Sequence, residues 1–170
     1  MEEKPTCGKR QGILRIIATA AVVAWMTVIF LMSADDGDQS SKKSEAIVDL
    51  VIDAAVGVKV MTREQVTPKL RDTIGFYVRK SAHATEYAIL GALLMLALAA
   101  WGLSRLAARA ALALPIAAAY AASDEYHQLS VAGRSGEWRD IFVDIAGAAI
   151  GIAITLLCMR SYQRKVRKQQ

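Results

Sequence analysis

Cysteine is nearly absent. The two that occur, Cys7 and Cys158, lie near opposite ends of a 170-residue chain, which argues against a shared disulfide and leaves no metal-type cysteine spacing. The sequence also lacks any internal repeat or low-complexity tract, so a proton-coupled carrier built from one chain is poorly supported. Its net charge of +5 is not a nucleic-acid footprint, because the basic residues gather toward the termini without interleaved aromatics and read as topology signals. Ser81, Ser123 and Ser130 sit in no recognisable nucleophile elbow. The longest apolar part of the third hydrophobic block, Ala110 to Ala122, is only 13 residues long, too short to cross a bilayer alone, since a spanning helix needs about 20. Either that block does not span, or it carries Asp124-Glu125-Tyr126-His127-Gln128 with it.

What is present is hydrophobicity, at 54% of residues, above the usual share for a soluble domain and concentrated in blocks. The pattern predicts an all-α polytopic membrane protein of four transmembrane helices, at about residues 13–32, 81–103, 106–129 and 141–159. A tail of residues 1–12 precedes this 13–159 membrane domain, and a basic tail of residues 160–170 follows it. The first block follows Lys4, Lys9 and Arg10, but its apolar core is longer than a signal peptide's and Met32-Ser33-Ala34 is a poor cleavage site, so it reads as an uncleaved helix. Pro115 falls near the middle of the third span, where neighbouring helices can re-satisfy the freed carbonyl.

Arginine and lysine set the orientation. Lys4, Lys9, Arg10 and Arg15, then Arg105 and Arg109, then Arg160, Arg164, Lys165, Arg167 and Lys168 all belong in the cytoplasm by the positive-inside rule. Both termini are then cytoplasmic, and residues 33–80 and 130–139 face outward. In the first of these outer segments Ile47, Leu50, Val51, Ala54, Ala55 and Val58 recur at helical spacing opposite Asp49 and Asp53, which predicts an amphipathic helix lying on the membrane or capping the bundle. Thr62-Arg63-Glu64-Gln65 reads as a capping box. Pro68 opens a further short helix with Leu70, Ile74 and Val78 as its stripe.

Three polar clusters meet on the outer side of this topology. His83, Glu86 and Tyr87 share a face of the second span. Asp124, His127 and Gln128 share a face of the third with Tyr120, while Glu125 points about 100° away. Asp140 and Asp144 lie one turn apart on the fourth, in a stripe with Gly147 and Gly151. Gly147 to Gly151 is a G-x-x-x-G pattern that lets helix backbones approach closely, so Asp144 should point into the bundle, where it needs a cationic partner or a proton. Lys80, Arg134 and Arg139 are the available cations, and an arginine beside Gly133 and Gly136 could clamp a carboxylate or a phosphate. His83, Glu86, Asp124 and His127 are also types that bind zinc or a harder divalent ion, although His-x-x-Glu is a frequent accident and a metal is not the favoured reading. Acid–base chemistry would pair a carboxyl acid with His83 or His127 as base. The bland alternative is a set of hydrogen-bonded pairs that lock the helices together.

Lys80-Ser81-Ala82-His83-Ala84-Thr85-Glu86-Tyr87, Ser123-Asp124-Glu125-Tyr126-His127-Gln128, Gly133-Arg134, Asp140 and Gly147, in this order, resemble the VanZ-like family, as does the F-x-x-S end of the first span at Phe30–Ser33. The family usually carries an asparagine one turn after its last-span aspartate, where this chain has Asp144. The resemblance implies a protein of the bacterial cytoplasmic membrane and cell envelope, in a family whose founding member is associated with resistance to the glycopeptide teicoplanin. The expectation is that it binds or modifies a phosphorylated envelope lipid. Lys80 and Arg134 would hold the phosphate, with Tyr87, Glu125, Gln128 and Asp144 lining the site. His83, Glu86, Asp124, His127 and Asp140 would set its protonation or perform chemistry. The alternative is a non-enzymatic structural or regulatory subunit. The partners expected are the bilayer and this lipid, with no nucleic acid.

Overall fold

The computed structural model describes residues 7–34, 37–131 and 138–169. The described residues form five α-helices and one short 3₁₀ turn, with no strand among them: α1 (Cys7–Ser33), α2 (Gly37–Gly57), the turn (Arg63–Gln65), α3 (Pro68–Ala100), α4 (Leu106–Gln128) and α5 (Trp138–Lys168). The fold is all-α, and α1, α3, α4 and α5 are each long and apolar enough to cross a membrane. Ile16, Leu31, Ile154 and Leu157 stand exposed on the outside, where lipid is as apolar as they are. Association of such helices therefore rests on close packing and polar bridges rather than on hiding apolar surface from water.

The tightest contact joins α3 and α5, which run parallel. Gly147 lies on the backbone of Ala84 and Gly151 on that of Ala88, while Gly91 returns the contact at Ala148. A methyl group added at Gly91 would come within 2.5 Å of the Ala148 carbonyl oxygen. The small residues are thus what lets the two backbones meet. Next to this seam, α4 buries a ladder of Ala113, Ala117 and Ala121 that leads to Asp124, Glu125 and Gln128, and its helix continues unbroken through Pro115. α1 closes the bundle through indole donors: Trp25 Nε1 donates to the Glu86 carbonyl at 2.9 Å and Trp101 Nε1 to Thr19 Oγ1 at 3.1 Å.

The two ends of the bundle differ in chemistry. At one, Arg15 donates to the Ala100 carbonyl at 3.4 Å and lies over the Trp101 ring. Arg109 reaches the Leu103 carbonyl and Met159 there. Gly102, with φ +90°, makes the turn into α4, a backbone conformation that costs glycine nothing. At the other end stand Ser33, Lys80, Gln128 and Asp140, with Phe76, Tyr77, Tyr126, Trp138 and Phe142 exposed around them, as in an interfacial aromatic belt.

α3 differs from its sequence reading in being continuous. The short helix opened by Pro68 and the second span are one rod of 33 residues, about 50 Å long against a hydrocarbon thickness of about 30 Å. Thr67 caps it by accepting from Leu70 N–H at 3.2 Å. α2 runs antiparallel to the first half of this rod. Val48 lies against Gly75, Asp49 pairs with Arg71 at 2.6 Å, and Asp53 pairs with Arg63 in the 3₁₀ turn at 2.8 Å. The buried face of α2 is Ser44, Val48 and Ile52, whereas Ile47, Leu50, Val51 and Val58 are exposed. The stripe read from sequence therefore lies on the outward face of α2. The apolar arc of α2 is wider than one neighbour can cover, and α3 meets its edge, where Gly75 leaves room for Val48.

Gly147→Ala and Gly151→Ala are each expected to lower stability by ~1–3 kcal/mol through overpacking. Gly12→Ala, with nothing within 4 Å of the added methyl, should not destabilise. Reversible unfolding in detergent checks all three.

Candidate functional site

The close α3–α5 seam decides what sits one turn above it. Because Ala84 meets Gly147, the preceding turns of the two helices face each other, and Lys80 forms an ion pair with Asp140. Both side chains remain about one-fifth exposed, at 21% and 20%, so this pair forms a rim. Lys80 also lies over the Phe76 ring, 5.2 Å from its centre. Deeper in, His83 Nδ1 stands 3.8 Å from Asp144 Oδ1, an electrostatic contact rather than a hydrogen bond. Asp144 is 2% exposed and turned into the bundle.

A second network lies on the other side of α4. Asp124 Oδ2 accepts from Ser33 Oγ at 2.8 Å and from Gln128 Nε2 at 3.1 Å, and Gln128 Nε2 is 3.3 Å from Ser33 Oγ. All three residues are buried. Alongside them Tyr120 OH donates to the Met26 carbonyl at 2.5 Å, and His127 stacks on Phe30 with ring centres 4.3 Å apart. Tyr120, Asp124 and His127 thus form the seam of α4 with α1. That face of α4 is therefore in contact with α1.

Between the two networks lies Tyr87, fully buried, with its ring 6.2 Å from that of Tyr120. Asp124, Asp144 and Glu86 all act electrostatically on its hydroxyl, and Asp124, Asp140, Glu125 and Glu86 act on Asp144. Glu125 is buried as well, on a side of α4 turned about 100° from Asp124. The buried face of α4 is centred on Ala121 and Gln128, with Asp124 and Glu125 flanking that centre, and Asp124 meets α1. Several carboxylates in so dry a place make the cluster electrostatically costly, and intramembrane ionisable groups mark functional sites by default.

The structure brings Lys80, His83, Glu86, Tyr87, Asp124, Glu125, Gln128, Asp140 and Asp144 to one end. His127 is diverted to the α1 seam. Arg134 lies outside the described residues. Arg139 is over the Trp138 ring at 5.8 Å. No three of the described histidine, cysteine, aspartate and glutamate residues gather at metal-binding distance, so the set His83, Glu86, Asp124 and His127 is not assembled. Ser33 has a role that the spacing of charges did not reveal. The signal for it was a lone hydroxyl at the end of an apolar run.

These features define a class: a four-span α-helical membrane protein in which Ser33, Asp124, Glu125, Gln128 and Asp144 are buried. The VanZ/LLP1 family model matches residues 18–159, and the chain belongs to that family. No curated protein and no solved structure matches it.

The Ser33–Asp124–Gln128 network predicts coupling between α1 and α4. A double-mutant cycle of Ser33→Ala with Asp124→Asn, followed by unfolding in detergent, should return an interaction energy of about 0.5–2 kcal/mol. The same cycle between Ser33→Ala and Asp140→Asn should return none.

Proposed function

We propose that this protein binds the phosphorylated headgroup of a cell-envelope lipid at the polar end of its bundle. The observation that carries the reading is the rim pair. Lys80 is the one cation among the described residues that stands at the mouth of the acidic cluster in an ion pair, and Asp140 holds it only at a partly exposed boundary. A pair so placed can exchange its carboxylate for a phosphate, because the solvation it gives up is small and the phosphate offers a stronger charge. Arg134, the next cation in the sequence assigned to the same side of the membrane, would be its natural second donor. The aromatic residues around this end suit the depth of lipid headgroups. His83 and Asp144 beneath the rim are the residues suited to holding or moving a proton next to the bound headgroup. Modification of the lipid belongs to that pair rather than to His127.

The cluster has a second reading, favoured for one half of it by a specific observation. Asp124 Oδ2 is tied to Ser33 and Gln128, and that network suits a structural role between α1 and α4. The ligand-facing half would then be Lys80, His83, Asp140 and Asp144.

The basic residues gathered at the opposite end support a cytoplasmic-membrane protein with both termini in the cytoplasm. The polar end would then face outward, where envelope lipids are displayed and where a link to teicoplanin-type glycopeptide resistance would act. A green fluorescent protein fused after Gln170 should fluoresce, and alkaline phosphatase inserted at Lys59 should be active. The reverse pattern would place the site in the cytoplasm.

The binding test is mass spectrometry of lipids retained by the purified protein. Lys80→Gln should lower retention of phosphorylated lipid roughly tenfold, the loss of one charge-assisted contact. Asp140→Asn, which releases Lys80, should preserve or raise it. Equal retention by the wild type and Lys80→Gln sinks the proposal. Equal losses in both variants, with lower melting temperatures, would assign the pair to structure.

A further inference from the structure

Among the described residues, Tyr87 OH, Asp124 Oδ1 and Asp144 Oδ1 are buried oxygens with no hydrogen-bond partner. Their residues are 0%, 2% and 2% exposed, so water outside the bundle does not serve them. They also lie in one neighbourhood: Tyr87 is one turn from His83, whose Nδ1 stands 3.8 Å from Asp144 Oδ1, and its ring is 6.2 Å from that of Tyr120, one turn from Asp124. Each of the other contacts made by these residues is already accounted for. Asp124 commits its second oxygen, Oδ2, to Ser33 and Gln128, and Asp144 Oδ1 has His83 Nδ1 only at 3.8 Å. A buried polar atom left unpaired costs about 1–3 kcal/mol, more when it is charged. Three of them converging in one place is a specification for a ligand.

The specification is chemical. What fits is a positively charged group that donates several hydrogen bonds, accepts none and is compact. A divalent metal does not meet it, as no metal-type set exists among the described residues. A primary ammonium does: it carries three N–H donors and no acceptor, one for each oxygen. We propose that Tyr87, Asp124 and Asp144 form a binding site for a primary ammonium group. The proposal rests on the lipid reading above and narrows it. The lipid would carry its phosphate at Lys80 on the rim and an amine beneath it. Lys80 and Tyr87 are two turns apart on α3, or about 10 Å along the axis, and Asp140 and Asp144 about 6 Å apart on α5. The charge order is thus basic at the mouth and acidic inside, as a zwitterionic headgroup with its amine leading would require.

The experiment compares phosphatidylethanolamine, phosphatidylcholine and phosphatidylglycerol with identical acyl chains, offered in equal amounts in mixed detergent micelles to the full-length protein. Native mass spectrometry reads the retained lipid. Phosphatidylethanolamine should be preferred roughly tenfold over the other two, because phosphatidylcholine has the charge without N–H donors and phosphatidylglycerol has neither. Tyr87→Phe removes one oxygen without charge change and should cut the preference several-fold while total lipid retention persists. Asp144→Asn should abolish it, and Tyr87→Phe keeps the test open if that variant does not fold. A soluble phosphoethanolamine arm separates the sources: protection against thermal unfolding as strong as that by the lipid would support the ammonium site and assign it to a free amine. Equal retention of all three lipids, or a preference unchanged in Tyr87→Phe, overturns the ammonium site alone. Retention of none overturns the lipid reading with it.

Discussion

The contact of α3 with α5 is the constraint on which the rest of the molecule depends. In lipid there is little to gain from hiding one apolar helix behind another, so two helices stay together where their backbones come close enough for dispersion and weak polar contacts to accumulate. Gly147, Gly151 and Gly91 provide that approach against Ala84, Ala88 and Ala148. Once these six residues are in register, no freedom remains in the turn above them. Lys80 must meet Asp140, and His83 must face Asp144. The site is in this sense a by-product of a packing motif: the acids and their partners were placed by residues that carry no charge.

The polar cluster divides into parts with different obligations. Ser33, Asp124 and Gln128 satisfy one another and hold α1 to α4, where few other polar links are available. Lys80 and Asp140 satisfy one another at a boundary. Between them Tyr87 and one oxygen from each of two aspartates remain without hydrogen bonds. A cluster meant only to fasten helices would gain nothing from such a remainder, because every unpaired buried group works against the fold. Under the proposed reading, this remainder is what would separate a ligand site from a fastening.

Much of this was legible in the chain. Asp144 shares a stripe with the glycines at 147 and 151, so a helical wheel turns it inward without any structure. The encounter of three spans at one end followed from counting lysines and arginines. Periodicity failed where a helix has more than one neighbour. It can say that Asp124, His127 and Tyr120 share a face, but not that α1 would cover that face, nor that Glu125, about 100° away, would be buried too. The same limit applies to α2, whose apolar arc is broad enough for two readings and whose covered edge depends on Gly75 in a different helix. Continuity of α3 was hidden by its charges. Arg79 and Lys80 look like the border between a surface helix and a span, yet nothing at that border breaks the backbone.

The unbroken course of α3 has a mechanical consequence. Sharp bends in helices arise at proline, at glycine–serine pairs or at inserted bulges, and after Pro68 α3 contains no proline. The hairpin with α2 and the membrane span are therefore one lever, with its fulcrum at the glycine contacts on α5. A push on the hairpin is not absorbed at a joint near the membrane surface. It reaches Lys80 and His83 as a tilt of the whole rod, and these two residues lie on the short stretch of that rod between the load and the fulcrum.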